Sequence, residues 1–129
     1  TMADVGRWLS QTEVEAYDHV PRAVAVRARL HRVRALPPGS SGMTFGRQVL
    51  LRRGQESNRK LVAHELVHVA QYADRGRVRF LLRYLADYAR NLFRLRSHRR
   101  AYLAIPAEVD ARAGAADWLR SHPERPDGA

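Results

Sequence analysis

Apolar and polar positions alternate along the chain in a few recognisable stretches. In "TEVE", Thr12 to Glu15, a hydroxyl is followed three residues on by a carboxylate, the pattern of a capping box. It predicts a short helix toward Tyr17 that ends before Pro21. In "VAVRARLHRVRAL" the side chains of Val24, Val26, Ala28 and Leu30 alternate with arginines, the period of a half-buried strand, although a helix also fits. "PPGSSG", Pro37 to Gly42, breaks the pattern. "RQVLLR", Arg47 to Arg52, reads as a short strand whose flanking arginines suit a sheet edge.

The second half is helical in period. Ser57 or Asn58 can cap a helix that runs to Asp74 and stops at Gly76. Val78, Leu81, Leu82, Leu85, Ala89 and Leu92 then recur at helical spacing as far as Leu95, with arginines on both sides. Such a stripe is ordinarily core. "RSHRR", Arg96 to Arg100, is a basic turn or a helix extension. Pro106 suits the first position of a last helix reaching Arg120. The expected fold is α+β and mostly helical: one domain over residues 1–120, followed by a disordered tail over 121–129.

One helix carries chemistry. "LVAHELVHVAQY", Leu61 to Tyr72, is apolar except for His64, Glu65, His68 and Gln71. Burying two imidazoles and a carboxylate without partners would cost several kcal/mol, on the order of the price of unpaired polar groups. His64 to His68 is an HExxH pattern, and on a helix residues i and i+4 share a face, so both imidazoles can reach one metal ion. Glu65, beside the first ligand, is placed to take a proton from a water activated at that ion. The plainer alternative is two surface histidines beside a glutamate, which the apolar neighbours disfavour. With no cysteine in the chain, a metal site must draw on His, Asp, Glu and water, which suits Zn2+ with three protein ligands and one open position.

The third ligand has several candidates. Asp74 lies six residues after His68, but Gln71 stands where a glycine would let the chain turn back toward the metal. Glu108 lies on the otherwise apolar stripe Ala104, Glu108, Ala111, Ala115, Trp118, where a carboxylate needs a partner, and it is favoured. Its alternative role is a surface pair with Arg112. Asp110 is a weaker ligand candidate, or a residue that orients an imidazole. His98 sits in a basic stretch and is read as solvated.

"LVAHELVHVAQY" followed by "IPAEVDARA" resembles the small bacterial zincin-like metallopeptidase domains of the gluzincin type. These carry an AHELxHVxQ helix and a downstream Pro-x-Glu segment. The resemblance covers roughly Gly42 to Ala116 and takes "GMTFGRQVLL" as the strand before the active helix. It implies a minimal zincin-like fold with a small sheet beside the HExxH helix. It also implies zinc on His64, His68 and Glu108, with Glu65 as general base. Larger gluzincins often place an aspartate four residues after the ligand glutamate; here that position is Arg112.

The implied function is zinc-dependent hydrolysis of a peptide or protein substrate. Tyr72, Tyr84, Tyr88 and Tyr102 are candidate donors to the oxyanion. The strand Arg47 to Arg52 is a candidate edge for an extended peptide, its arginines favouring acidic substrates. The alternative function is a non-catalytic zinc domain in which the same ligands staple a small fold. Composition adds a formal charge of +10, carried almost wholly by arginine, since Lys60 is the only lysine. That charge admits an anionic partner. Nucleic acid ranks low because no reading motif is present. Contact of the basic helix with an anionic membrane surface also ranks below a solvated arginine face. With no N-terminal signal pattern, the expected location is the cytoplasm.

Overall fold

The computed structural model describes residues 6–123. The architecture is α+β and mostly helical, as expected. In chain order it contains β1 (Arg7–Trp8), α1 (Gln11–Ala16), α2 (Arg22–Ala25), β2 (Arg29–Val33), β3 (Gly42–Phe45) and β4 (Gln48–Arg52). The long helices α3 (Arg59–Arg75) and α4 (Arg77–Leu95), the short α5 (His98–Leu103) and α6 (Pro106–Ser121) follow. The strands form one mixed sheet in the order β1-β2-β4-β3.

Several boundaries differ from expectation for identifiable reasons. The capping box is present but starts at Ser10, whose side chain accepts from the Glu13 amide while the Glu13 carboxylate accepts from the Ser10 amide. The alternation from Val24 is not a strand. Pro21 sets the backbone for one helical turn, α2, which buries Ala25, and the strand begins only at Arg29. "GMTFGRQVLL" is two strands, because the chain reverses at Gly46 and Arg47 to form the β3–β4 hairpin. Hence β4 is not an edge: it runs parallel to β2 on one side and antiparallel to β3 on the other. Arg52 is also unavailable to a substrate, since its guanidinium donates to the carbonyls of Ser40 and Leu36. The exposed edge beside the helices is β3.

The core lies between the sheet and α3. Leu30, Val49 and Leu51 meet Val62, Ala63, Leu66 and Val69, and Ala115 and Trp118 of α6 close the other side. Trp118 stacks on Tyr17 at 4.7 Å and donates its indole N–H to the Ala16 carbonyl at 2.8 Å, tying the last helix to the first. His122 stacks on Trp118 in turn. The expected tail therefore does not begin at residue 121: Ser121 closes α6, His122 is packed, and residues 124–129 lie outside the described residues.

The stripe on α4 departs furthest from expectation. Of the residues of α4 only Phe80 and Asp87 are buried, and neither belongs to the stripe, whereas Val78, Leu82, Leu85 and Phe93 face solvent. The helix instead turns Tyr84 and Asn91 inward.

Candidate metal centre

Helix α3 starts where Asn58 accepts a hydrogen bond from the Leu61 amide at 3.1 Å. One and two turns on, His64 and His68 share a face, their rings 5.0 Å apart in an edge-to-face arrangement. Helix α6 starts at Pro106, which has no N–H to lose at a first helical position. That puts Glu108 in the first turn, where the helix dipole favours a carboxylate. The two helices approach closely through Gly114, at which a Cβ would meet Val67 Cγ2 at 3.1 Å.

The close packing brings Glu108 onto both histidines. Its Oε1 lies 3.0 Å from His64 Nε2 and 3.1 Å from His68 Nε2. The three potential ligand atoms all lie within 4.8 Å of one another and could hold a metal ion. Two ligands about 2.0–2.1 Å from a tetrahedral ion are about 3.4 Å apart, so the two spacings from Glu108 to the histidines need only a few tenths of an ångström of adjustment.

The neighbours fix how these atoms are presented. The Gln71 amide N–H donates to the Ala107 carbonyl at 3.1 Å, so its oxygen faces His68 and accepts from Nδ1–H at 2.8 Å. A neutral His68 ring then keeps its lone pair on Nε2, toward Glu108. Tyr84 donates to the second carboxylate oxygen of Glu108 at 2.5 Å. Burial alone would push Glu108 up, but its hydrogen bonds with His64 and His68 outweigh that and hold the carboxyl well below its usual range. Burial likewise pulls His68 down, and the Glu108 carboxylate reverses the sign, raising it. Burial and the Glu108 charge both push the Tyr84 phenol up, so it stays protonated as a donor. The site thus attracts positive charge to the point where the three side chains meet.

Glu65 stands apart from this triad. It is buried against β3, where Thr44 Oγ1 donates to its Oε1 at 2.7 Å. The strand can pass this close because Gly42 has no side chain: a Cβ there would lie 3.1 Å from Glu65 Oε2. Burial pushes the Glu65 carboxyl up, only partly offset by His68 and Thr44. His64 and Glu65 line an open cleft of about 650 Å³ between the 37–43 segment and helices α4 and α5, with Tyr84, Tyr88, His98 and Tyr102 on its wall.

Of the residues singled out from sequence, His64, His68 and Glu108 come together, with Glu65 beside them. Asp74 and Asp110 are exposed and line a different hollow, with Gln71 rather than Asp110 orienting His68. Arg112 does not pair with Glu108; it donates to the Leu103 carbonyl at 2.6 Å. As a cation without an acceptor it could not orient an imidazole N–H. His98 bonds the Tyr88 hydroxyl at 2.7 Å. Tyr72 is buried against Phe45 and Phe80 and leaves the oxyanion candidates. Ala104 precedes α6 and is exposed, and Ile105 is buried instead. Sequence reasoning missed the supporting roles of Thr44, Gln71 and Tyr84. Gln71, one turn beyond His68, carried a local signal; Thr44 and Tyr84 reach the site only through tertiary packing.

Residues 14–76 match the family model described as the eCIS core domain. The matched segment runs from α1 to the end of α3, so it includes His64, Glu65 and His68 and stops before Glu108. No curated protein and no solved structure matches the chain.

Proposed function

We propose that this chain is a zinc-dependent metallopeptidase with a zincin-like active site, with His64, His68 and Glu108 as metal ligands and Glu65 as general base. The observation that carries the reading is the convergence of His64, His68 and Glu108 from two helices, beside a buried glutamate that opens on a cleft. When bound there, zinc would supply the Lewis acid that activates a water and polarises a carbonyl.

The remaining work falls to the chain itself. Thr44 occupies Glu65 Oε1, leaving Oε2 to accept the proton of the attacking water and to pass it to the departing amine. Burial raises the basicity of Glu65, which suits it to that exchange. Tyr84 is committed to Glu108 and Tyr88 to His98. Tyr102 also interacts with the Glu108 carboxylate, but it is the most exposed of the three phenols on the cleft wall and is the one that can turn to the oxyanion. The free edge of β3 can pair with an extended peptide next to Glu65. Lys60 and Arg99 on the cleft wall favour acidic residues near the scissile bond.

The test is digestion of a mixed peptide library by the zinc-loaded protein and by Glu65→Gln, read by mass spectrometry at two ionic strengths. Turnover should fall at least about 100-fold in Glu65→Gln at either ionic strength. The acidic preference should shrink as salt rises. Cleavage that survives in Glu65→Gln, or no cleavage by wild type, would reject the enzyme and favour a zinc domain without turnover.

A further inference from the structure

Helix α4 divides lengthwise into three sectors at the helical repeat. Val78, Leu82, Leu85, Ala89, Leu92 and Phe93 form one continuous apolar stripe. It faces solvent, with Val78 73%, Leu82 63% and Phe93 77% exposed. Arg79, Arg83, Arg90 and Arg94 run along one border of that stripe. The inward sector carries Phe80, Tyr84, Asp87 and Asn91. Asp87 is the helix's one acidic residue; it is buried and engaged by Arg83 at 3.3 Å and Arg90 at 3.8 Å. The outward surface of α4 therefore bears positive charge alone; Arg99 and Arg100 of α5 are exposed as well, and Arg99 lines the cleft with Leu85.

An occupant of this face must accept both an apolar stripe and a row of cations. A second copy would meet the stripe but would bring two chains of formal charge +10 together. Nucleic acid would meet the arginines and leave the stripe in water. A phospholipid surface with anionic headgroups satisfies both at once. No described helix is long and apolar enough to cross a membrane. An in-plane orientation remains, with the apolar stripe in the acyl boundary and the arginines at the phosphates.

We propose that α4 docks the protein in the plane of an anionic phospholipid surface, inserting Val78, Leu82, Leu85 and Phe93 and setting Arg79, Arg83, Arg90 and Arg94 against headgroup phosphates. Leu85 also lines the cleft beside His64. Docking would thus hold the cleft mouth at the lipid–water boundary, whatever chemistry occurs inside it.

The test is co-sedimentation of the full chain with vesicles of phosphatidylcholine alone or mixed with phosphatidylglycerol, at low and high salt. Two double variants on exposed positions accompany it, Leu82→Ser with Phe93→Ser and Arg79→Gln with Arg94→Gln, each checked for an unchanged unfolding midpoint. Wild type should bind the anionic vesicles at least about tenfold more tightly than the neutral ones. The serine pair should lose about tenfold or more at both salts. The glutamine pair should lose roughly 20-fold at low salt and much less at high salt. Absence of binding to anionic vesicles, or full binding by either variant, would overturn the proposal. So would a dimer in sedimentation velocity that the serine pair dissolves while vesicles are ignored, since the face would then join copies of the chain.

Discussion

Helices α3 and α4 follow one another across Gly76, and both are amphipathic, yet they face opposite ways. Helix α3 buries Val62, Ala63, Leu66 and Val69 against the sheet and α6. Helix α4 turns its apolar stripe to solvent and packs its polar and aromatic side inward. The difference follows from what each helix must satisfy. The buried carboxylate of Glu108 needs a donor, which Tyr84 provides, and the Ala101 carbonyl is met by Asn91 at 3.1 Å. The inner face of α4 is the one that supplies these two hydrogen bonds and packs Phe80 on Tyr72. Periodicity identifies which residues share a face; it does not say which face meets the rest of the protein.

The largest effect should come from comparing matched truncations on the two helices. Leu66 on α3 is fully buried, so Leu66→Ala should cost about 2–5 kcal/mol. Leu82 on α4 is mostly exposed, and Leu82→Ala should stay within about 0.5 kcal/mol. Urea unfolding of both variants checks the contrast, and equal losses would mean that the α4 stripe is packed in solution.

A smaller effect concerns how α3 is fastened. His19, in the turn between α1 and α2, contacts the Ala63 carbonyl through Nε2 at 2.9 Å, a bond its N–H donates. Burial lowers the His19 pKa, partly offset by that bond. The folded ring thus stays neutral while the unfolded ring takes up a proton below about pH 6.5. The stability this contributes is present above that pH and is lost as pH falls through the folded value. His19→Gln keeps a donor and removes the titration, so its stability should fall less steeply than that of wild type on acidification. Parallel pH profiles of the thermal midpoint would show that His19 does not titrate differently on folding.

Much of the fold and site was legible because it was encoded locally. The cap at Asn58, the HExxH spacing, the break at Gly76 and Pro106 at the start of α6 each act within a few residues. Glu108 was legible as a carboxylate on an apolar face. The illegible parts depend on long-range pairing. The start of β2 is set by its parallel partner β4 and by β1, which the alternation from Val24 could not reveal. The interior position of β4 depends on the turn at Gly46 and Arg47. Thr44 and Tyr84 look like ordinary strand and helix residues until the fold brings them to Glu65 and Glu108.

The central claim is that two helices assemble one metal centre from His64, His68 and Glu108. It is tested most directly by zinc titration combined with X-ray absorption at the zinc edge, on wild type, Glu108→Gln and Asp74→Asn. Wild type should bind one zinc per chain with two imidazoles in the shell and nitrogen or oxygen at about 2.0–2.2 Å. Glu108→Gln should bind at least about tenfold more weakly, and Asp74→Asn should match wild type. A shell lacking the second imidazole, or a loss confined to Asp74→Asn, would contradict the assignment.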